Sequence, residues 1–129
     1  MTMTDEITVD LPLEQESPGR AREHLIAYRG LLDETSFIDL RLLVSELVVE
    51  ALKATPNAQD RKIELRAGHD DHRVHVEVSS AAYRLPSRHP KPGDMGWGIC
   101  LVEQLSGRWG FRHEPDKATV WLDLPCAAL

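Results

Sequence analysis

The sequence predicts an α+β fold in which a mainly antiparallel sheet and a group of helices form a two-layer sandwich. Segments with helical periodicity are grouped, and they lie beside paired segments that alternate apolar and polar residues. Grouped helices beside paired strands favour such a sandwich over a parallel α/β fold. Because 129 residues can bury a core without disulfides or a metal, we expect a single domain over residues 1–129.

A strand and a helix are predicted at the start of the chain. Residues 7–12 alternate apolar and polar side chains and end in a proline, which favours an edge strand. Ser17 followed by Pro18 is typical of a helix N-terminus, with the serine as the cap. Apolar residues then recur at helical spacing to about Leu32, and residues 33–36 are expected to form a connection.

The rest of the chain is organised around residues 40–54. Apolar residues recur there at i, i+3, i+4 and i+7, which predicts an amphipathic helix with one face on the core. The helix is expected to end at Thr55, because Pro56 disfavours helical geometry in the residue before it. The predicted core stripe consists of Leu40, Leu43, Val44, Leu47, Val48, Ala51 and Leu52.

Two carboxylates stand on this helix. Glu46 and Glu50 are four residues apart, and like charges at that spacing cost about 0.2–0.5 kcal/mol. Lys53 would neutralise one of them on an ordinary solvated face, whereas a bound cation or a basic partner surface is the functional alternative. The residues themselves leave both interpretations open.

Two hairpins are predicted in the second half of the chain. Residues 62–67 and 73–79 alternate apolar and polar side chains on either side of a turn at residues 68–71. Residues 109–113 and 119–124 form the second pair, again with one apolar face. We therefore expect each hairpin to contribute two adjacent antiparallel strands to the sheet.

The segment between the hairpins has the composition of a long loop followed by a helix. Residues 83–94 contain three prolines and three basic residues, and loops of this length are usually functional or disordered. The basic residues favour contact with an anion. Gly96 and Gly98 then open a predicted helix that Gly107 ends.

Charge and cysteine content narrow the possible partners and location. Residues 1–50 contain 11 acidic and 4 basic residues, while residues 51–129 contain 10 and 11. An acidic chain without a basic stripe is a poor candidate for direct nucleic-acid binding. Cys100 and Cys126 lack the spacing of a metal or disulfide site, and the chain shows no signal peptide or membrane span. We expect a cytoplasmic protein without a membrane partner.

Several short motifs, in this order and spacing, carry a resemblance to a known family. The motifs are Ser45-Glu46-Leu47, Arg84-Leu85-Pro86, Gly96-Trp97-Gly98-Ile99, the LVEQL sequence of residues 101–105, and Thr119-Val120-Trp121. With these motifs, the chain resembles over residues 7–124 the GHKL, or Bergerat-fold, ATP-binding domains of the histidine-kinase-like ATPase fold. More closely, it resembles the small anti-sigma-factor serine kinases of bacteria.

The resemblance implies ATP and Mg²⁺ as cofactors and assigns roles to the two helix carboxylates. Glu46 matches the base that acts on a serine hydroxyl of the partner protein, which requires an ionised carboxylate near that hydroxyl. Glu50 stands where the family has a magnesium-binding asparagine. Magnesium accepts carboxylate oxygens, so Glu50 is the predicted metal ligand, although its charge also repels a triphosphate.

The resemblance also assigns the residues that would contact the nucleotide. Ser80 stands where the family has an aspartate that accepts a hydrogen bond from the adenine amino group. Thr119 matches the threonine that lines the adenine pocket, although the residue before it is alanine rather than glycine. The predicted phosphate-binding positions, where small residues and a helix N-terminus allow close approach, are Gly93, Gly96 and Gly98.

These substitutions lead to two hypotheses. In the first, the protein is an anti-sigma-factor-like regulator of transcription with a degenerate ATP site, which binds a sigma factor, an anti-sigma-factor antagonist, or both. In the second, it is an active ATP-dependent serine kinase that phosphorylates such an antagonist. The resemblance implies a homodimer in either case. Glu50 and Ser80, at the two most demanding positions, favour the first hypothesis.

Overall fold

The computed structural model describes residues 3–54, 62–81, 105 and 107–127. The elements are strand β1 (Thr4–Pro12), helix α1 (Ser17–His24), a 3₁₀ helix (Leu25–Leu31), helix α2 (Glu34–Ala54), and strands β2 (Lys62–His69), β3 (Arg73–Ser80), β4 (Arg108–His113) and β5 (Ala118–Pro125). The loop predicted at residues 83–94 and the helix predicted to begin at Gly98 lie outside these ranges. No helix in the described ranges is both long and apolar enough to cross a membrane.

The strands form one five-stranded antiparallel sheet in the order β1-β2-β3-β5-β4. The predicted α+β class is therefore confirmed, together with both hairpins and the edge position of β1. Strand β3 lies at the centre, between β2 and β5. Its last residue, Ser80, pairs with Ile63 of β2 and with Ala118 at the start of β5.

One face of the sheet packs against the helices to form the core. Val74, Val76 and Val78 of β3 are fully buried, as the alternation of that strand predicts. They belong to the same apolar cluster as the buried stripe of α2. That stripe confirms the predicted helix face, and its fully buried members are Leu40, Leu43, Val44, Leu47, Val48 and Ala51.

The helix boundaries differ from the prediction at two places. Helix α2 begins at Glu34, because the Asp33 carboxylate accepts a hydrogen bond of 2.7 Å from the Ser36 N–H and so caps the first turn. The same backbone hydrogen bond holds the pKa of Asp33 below its usual value. The prediction that residues 33–36 form a connection is therefore wrong for residues 34–36, which belong to α2.

The predicted serine cap of α1 is also wrong. The Ser17 hydroxyl makes no cap hydrogen bond and instead donates to the carbonyl oxygen of Pro12, at the end of β1. The continuation toward Leu32 is a 3₁₀ helix rather than an α-helix. Its three-residue turn aligns the buried Leu25 and Tyr28, which are three positions apart.

Gly110 of β4 lies so close to Trp121 of β5 that it leaves no space for a side chain. A Cβ atom on Gly110 would lie 2.7 Å from three atoms of the indole ring. Gly110→Ala should therefore lower the free energy of unfolding by about 1–3 kcal/mol, because the ring must move. Urea denaturation measures this, with Gly30→Ala as the control, since nothing lies within 4 Å of a Cβ there. Equal stability of the two variants would contradict the prediction.

Candidate nucleotide site and the opposite sheet face

Helix α2 carries the two predicted catalytic and metal-binding carboxylates. Glu46 and Glu50 are both partly exposed, one helical turn apart. Within the described part of the chain, neither side chain makes a hydrogen bond or an ion pair. The side chain of Lys53, the expected neutralising partner, lies outside what the structure describes. Among the described residues, therefore, no cationic side chain neutralises either carboxylate.

The residues near Glu50 bear on how magnesium would be held. Among the described residues, no group of three or more carboxylate, histidine or cysteine side chains is arranged so that it could hold a metal ion. Magnesium is usually bound through one or two carboxylates together with substrate phosphates and water. A single protein ligand such as Glu50 fits that mode, in which the phosphates of the nucleotide and water would supply the remaining ligands.

Ser80 lies on the face of the sheet that packs against the helices. It follows Val74, Val76 and Val78 at intervals of two residues and is 2 % exposed. Successive side chains of a strand point to opposite faces, so Ser80 belongs to the helix-facing side at the end of β3. Its side chain therefore faces the layer that also contains α2.

Thr119 lies on the other face of the sheet. It pairs with Ser79, and the two hydroxyl groups are hydrogen-bonded at 2.7 Å. Ser80 pairs with Ala118, so alanine is the β5 residue that shares the helix-facing side with it. The structure thus does not bring Thr119 and Ser80 together. Gly93, Gly96 and Gly98 lie outside the described residues.

A charged network that the sequence did not predict lies on the sheet face that points away from the helices. His75 of β3 contacts Asp123 of β5 through Nδ1 and Glu77 through Nε2, the latter at 2.8 Å. The other carboxylate oxygen of Glu77 accepts a hydrogen bond of 2.7 Å from Arg112 of β4. The imidazole also stacks on Trp121, with the ring centroids 5.9 Å apart. We call the four charged residues His75, Glu77, Arg112 and Asp123 the outer-face network.

Three members of the outer-face network, His75, Glu77 and Arg112, favour one another's charged forms. The hydrogen bond that His75 donates to Glu77, aided by the one to Asp123, raises the pKa of His75. The hydrogen bond with His75, and then that with Arg112, lowers the pKa of Glu77 from 4.5 to about 2. Alternation on β3 predicts that His75 and Glu77 share a face of the sheet. Asp123 and Arg112 come from β5 and β4, and the register of those strands cannot be predicted from the sequence. The network stabilises the junction of three strands.

The antiparallel sheet with helices packed on one face defines the class of fold, an α+β sandwich. The chain belongs to the histidine kinase-like ATPase domain family, whose sequence model matches residues 11–124. None of the curated proteins matches this sequence.

Solved structures show the same fold. The chain is similar to the crystal structure of the RsbU and RsbW domains of Rv1364c from Mycobacterium tuberculosis, with 19% identity and a TM-score of 0.72. That match covers 95% of this chain but only 33% of the longer one, so this chain spans about a third of it. A histidine kinase from Burkholderia phymatum STM815 matches with 20% identity and a TM-score of 0.55, covering 98% of this chain and 73% of that one.

Proposed function

We propose that this protein is an anti-sigma-factor-like regulator of bacterial transcription with a degenerate ATP site, which acts by binding a sigma factor, an anti-sigma-factor antagonist, or both. The observation that carries the proposal is the buried, helix-facing position of Ser80. The family resemblance puts an adenine-binding aspartate there. A hydroxyl is uncharged, and charge-assisted hydrogen bonds are roughly twice as strong as neutral ones.

The comparisons support the regulatory part of this proposal at the level of family. Membership of the histidine kinase-like ATPase family implies ATP and Mg²⁺ in general. The structural similarity to a chain that contains an RsbW domain agrees with the motif resemblance to anti-sigma-factor serine kinases. The homodimer, the cytoplasmic location and the phosphate contacts of Gly93, Gly96 and Gly98 remain part of the proposal.

An active serine kinase is the second candidate, and the setting of Glu46 is what favours it. Its carboxylate is partly exposed and makes no ion pair with any other residue in the described ranges. A general base must be ionised and within reach of the hydroxyl that it deprotonates. In this account Glu46 takes the proton of a partner serine, and Glu50 helps to hold the magnesium that accompanies ATP.

Transfer of labelled phosphate from ATP to the co-purified protein partner distinguishes the two functions. For a binding regulator, we expect no transfer by the wild type, by Glu46→Gln or by Glu50→Asn, with the complex intact in each case. Glu50→Asn should stabilise α2 by about 0.2–0.5 kcal/mol, because it relieves the repulsion between like charges. Transfer that disappears in Glu46→Gln but persists in Glu23→Gln, an exposed control on α1, would establish the kinase instead.

A further inference from the structure

Three large apolar side chains are exposed on the helical layer. Ile38 and Leu42 of α2 are 57% and 41% exposed, and they lie one turn apart on the same side of the helix. Ile26 of the 3₁₀ helix is 50% exposed. Single exposed apolar residues are common on protein surfaces, whereas a contiguous group marks an interaction site. An interaction site here therefore requires that these three side chains belong to one continuous surface.

Two arginines connect the three apolar residues into one surface. Arg29 follows Ile26 by three positions and so lies on the same side of the 3₁₀ helix. Its guanidinium carbon is 5.9 Å from the ring centroid of Phe37, and that of Arg41 is 5.6 Å from the same centroid. Arg41 is also one turn from Ile38 on α2. We call this surface the docking patch: Ile26, Arg29, Ile38, Arg41 and Leu42.

The positive charges of the docking patch are not neutralised by the part of the chain that the structure describes. No carboxylate there forms an ion pair with Arg29 or Arg41, those of Glu34 and Asp39 on the same helix included. The buried Nε atom of Arg41 also has no hydrogen-bond partner. The patch thus combines exposed apolar side chains with two guanidinium groups that form no ion pair with any described residue.

We propose that the docking patch binds an acidic amphipathic helix of a protein partner. Apolar residues spaced by four form a ridge against which a second helix packs, and guanidinium groups bind carboxylates with two parallel hydrogen bonds. The partner helix would therefore carry an apolar stripe flanked by aspartate or glutamate. This inference rests on the proposed function, since it supplies the surface on which the regulator holds its partner.

The docking patch lies in line with Glu46 on α2, so it would also serve the second candidate function, the serine kinase. Along α2, Ile38, Leu42 and Glu46 follow one another at intervals of four residues, so they form a line on one side of the helix. A helix bound along the ridge would extend toward the carboxylate that the resemblance identifies as the base. A partner segment adjacent to that helix would be presented to Glu46.

A second copy of this chain fits the docking patch less well than an acidic partner does. A two-fold contact brings the same surface of both copies together, so each arginine would face arginine-bearing surface across the axis. Like charges placed opposite each other disfavour association.

The proposal is tested by titrating the isotope-labelled full chain with two synthetic amphipathic helical peptides and following its amide NMR signals. The peptides share the same leucine stripe, and their flanking positions are all glutamate in one and all lysine in the other. We expect saturable shifts centred on residues 26–42 with the glutamate peptide and none with the lysine peptide. Ile38→Ser, and separately the pair Arg29→Glu with Arg41→Glu, should weaken binding about tenfold or more.

Arg66→Glu is the matched control, because Arg66 is an exposed arginine on β2 outside the patch, and it should bind like the wild type. Equal binding of both peptides, shifts centred elsewhere, or no binding at all would overturn the proposal. So would a dimer in sedimentation velocity that Ile38→Ser dissociates, since the patch would then join two copies. If the protein binds the glutamate peptide but neither binds nor phosphorylates any regulatory partner, the docking patch is supported and only the proposed function is refuted.

Discussion

Ser80→Asp is expected to tighten binding of magnesium-ATP by about 5- to 150-fold. The substitution restores a charged acceptor on the helix-facing side of β3, and a hydrogen bond to a charged group is worth about 1–3 kcal/mol more than an absent one. Isothermal titration calorimetry of the wild type and the variant measures the difference. We expect the wild type to bind more weakly than micromolar.

Ser79→Asp is the matched control for this experiment. It adds the same charge one residue earlier, but on the opposite face of the sheet, where Ser79 is bonded to Thr119. It should not tighten binding. Since Ser80 is buried, the new carboxylate should also lower the melting temperature without ligand, and saturating ATP should restore it. Micromolar or tighter binding by the wild type would show that the site is not degenerate.

Hydrophobic periodicity predicted most of the fold correctly. The stripe of α2 and the alternation on β3 each identify a buried face from spacing alone, because one face of every element must enter the core. The helix start was misplaced even though Asp33 lies three residues before Ser36, the spacing of a capping side chain. This capping residue marks the start of α2 in the sequence, whereas the apolar stripe marks only the part of the helix that faces the core.

The site was harder to predict because it depends on strand register. Moving by one residue along a strand reverses the face, so motif matching alone did not reveal that Ala118, and not Thr119, shares the side of Ser80. The outer-face network was missed for the same reason. His75 and Asp123 are 48 positions apart, and only the pairing of β3 with β5 brings them into contact.

Glu77→Gln is expected to lower the free energy of unfolding by at most about 3 kcal/mol at pH 6. A pKa of about 2 in the folded protein, against an ordinary 4.5, gives that upper limit when the whole difference is lost. The amide keeps the shape of the side chain but cannot form charged hydrogen bonds with His75 and Arg112. Urea denaturation of wild type and variant at a series of pH values measures the loss.

The contribution of the outer-face network to the free energy of unfolding changes with pH in two ranges. It rises with pH where Glu77 titrates and falls with pH where His75 titrates. The folded pKa of Glu77 is lowered, so its contribution is present above pH 4.5 and is lost as the pH falls toward 2. The folded pKa of His75 is raised, so its contribution is present below pH 6.5 and is lost as the pH rises through that raised value. The outer-face network should therefore stabilise the wild type most between pH 4.5 and 6.5.

Two variants separate this network from general charge effects. His75→Gln should reduce the decline on the alkaline side, because no group of the outer-face network then loses a proton there, whereas His69, whose pKa the hydrogen bond with Asp5 raises, keeps its own contribution. Glu64→Gln changes a partly exposed carboxylate outside the network and should leave the pH dependence unchanged in both ranges. A loss of stability in Glu77→Gln that equals that of Glu64→Gln would contradict the prediction. So would a loss that is the same at every pH, because the difference between variant and wild type must shrink wherever Glu77 is protonated in both folded and unfolded states.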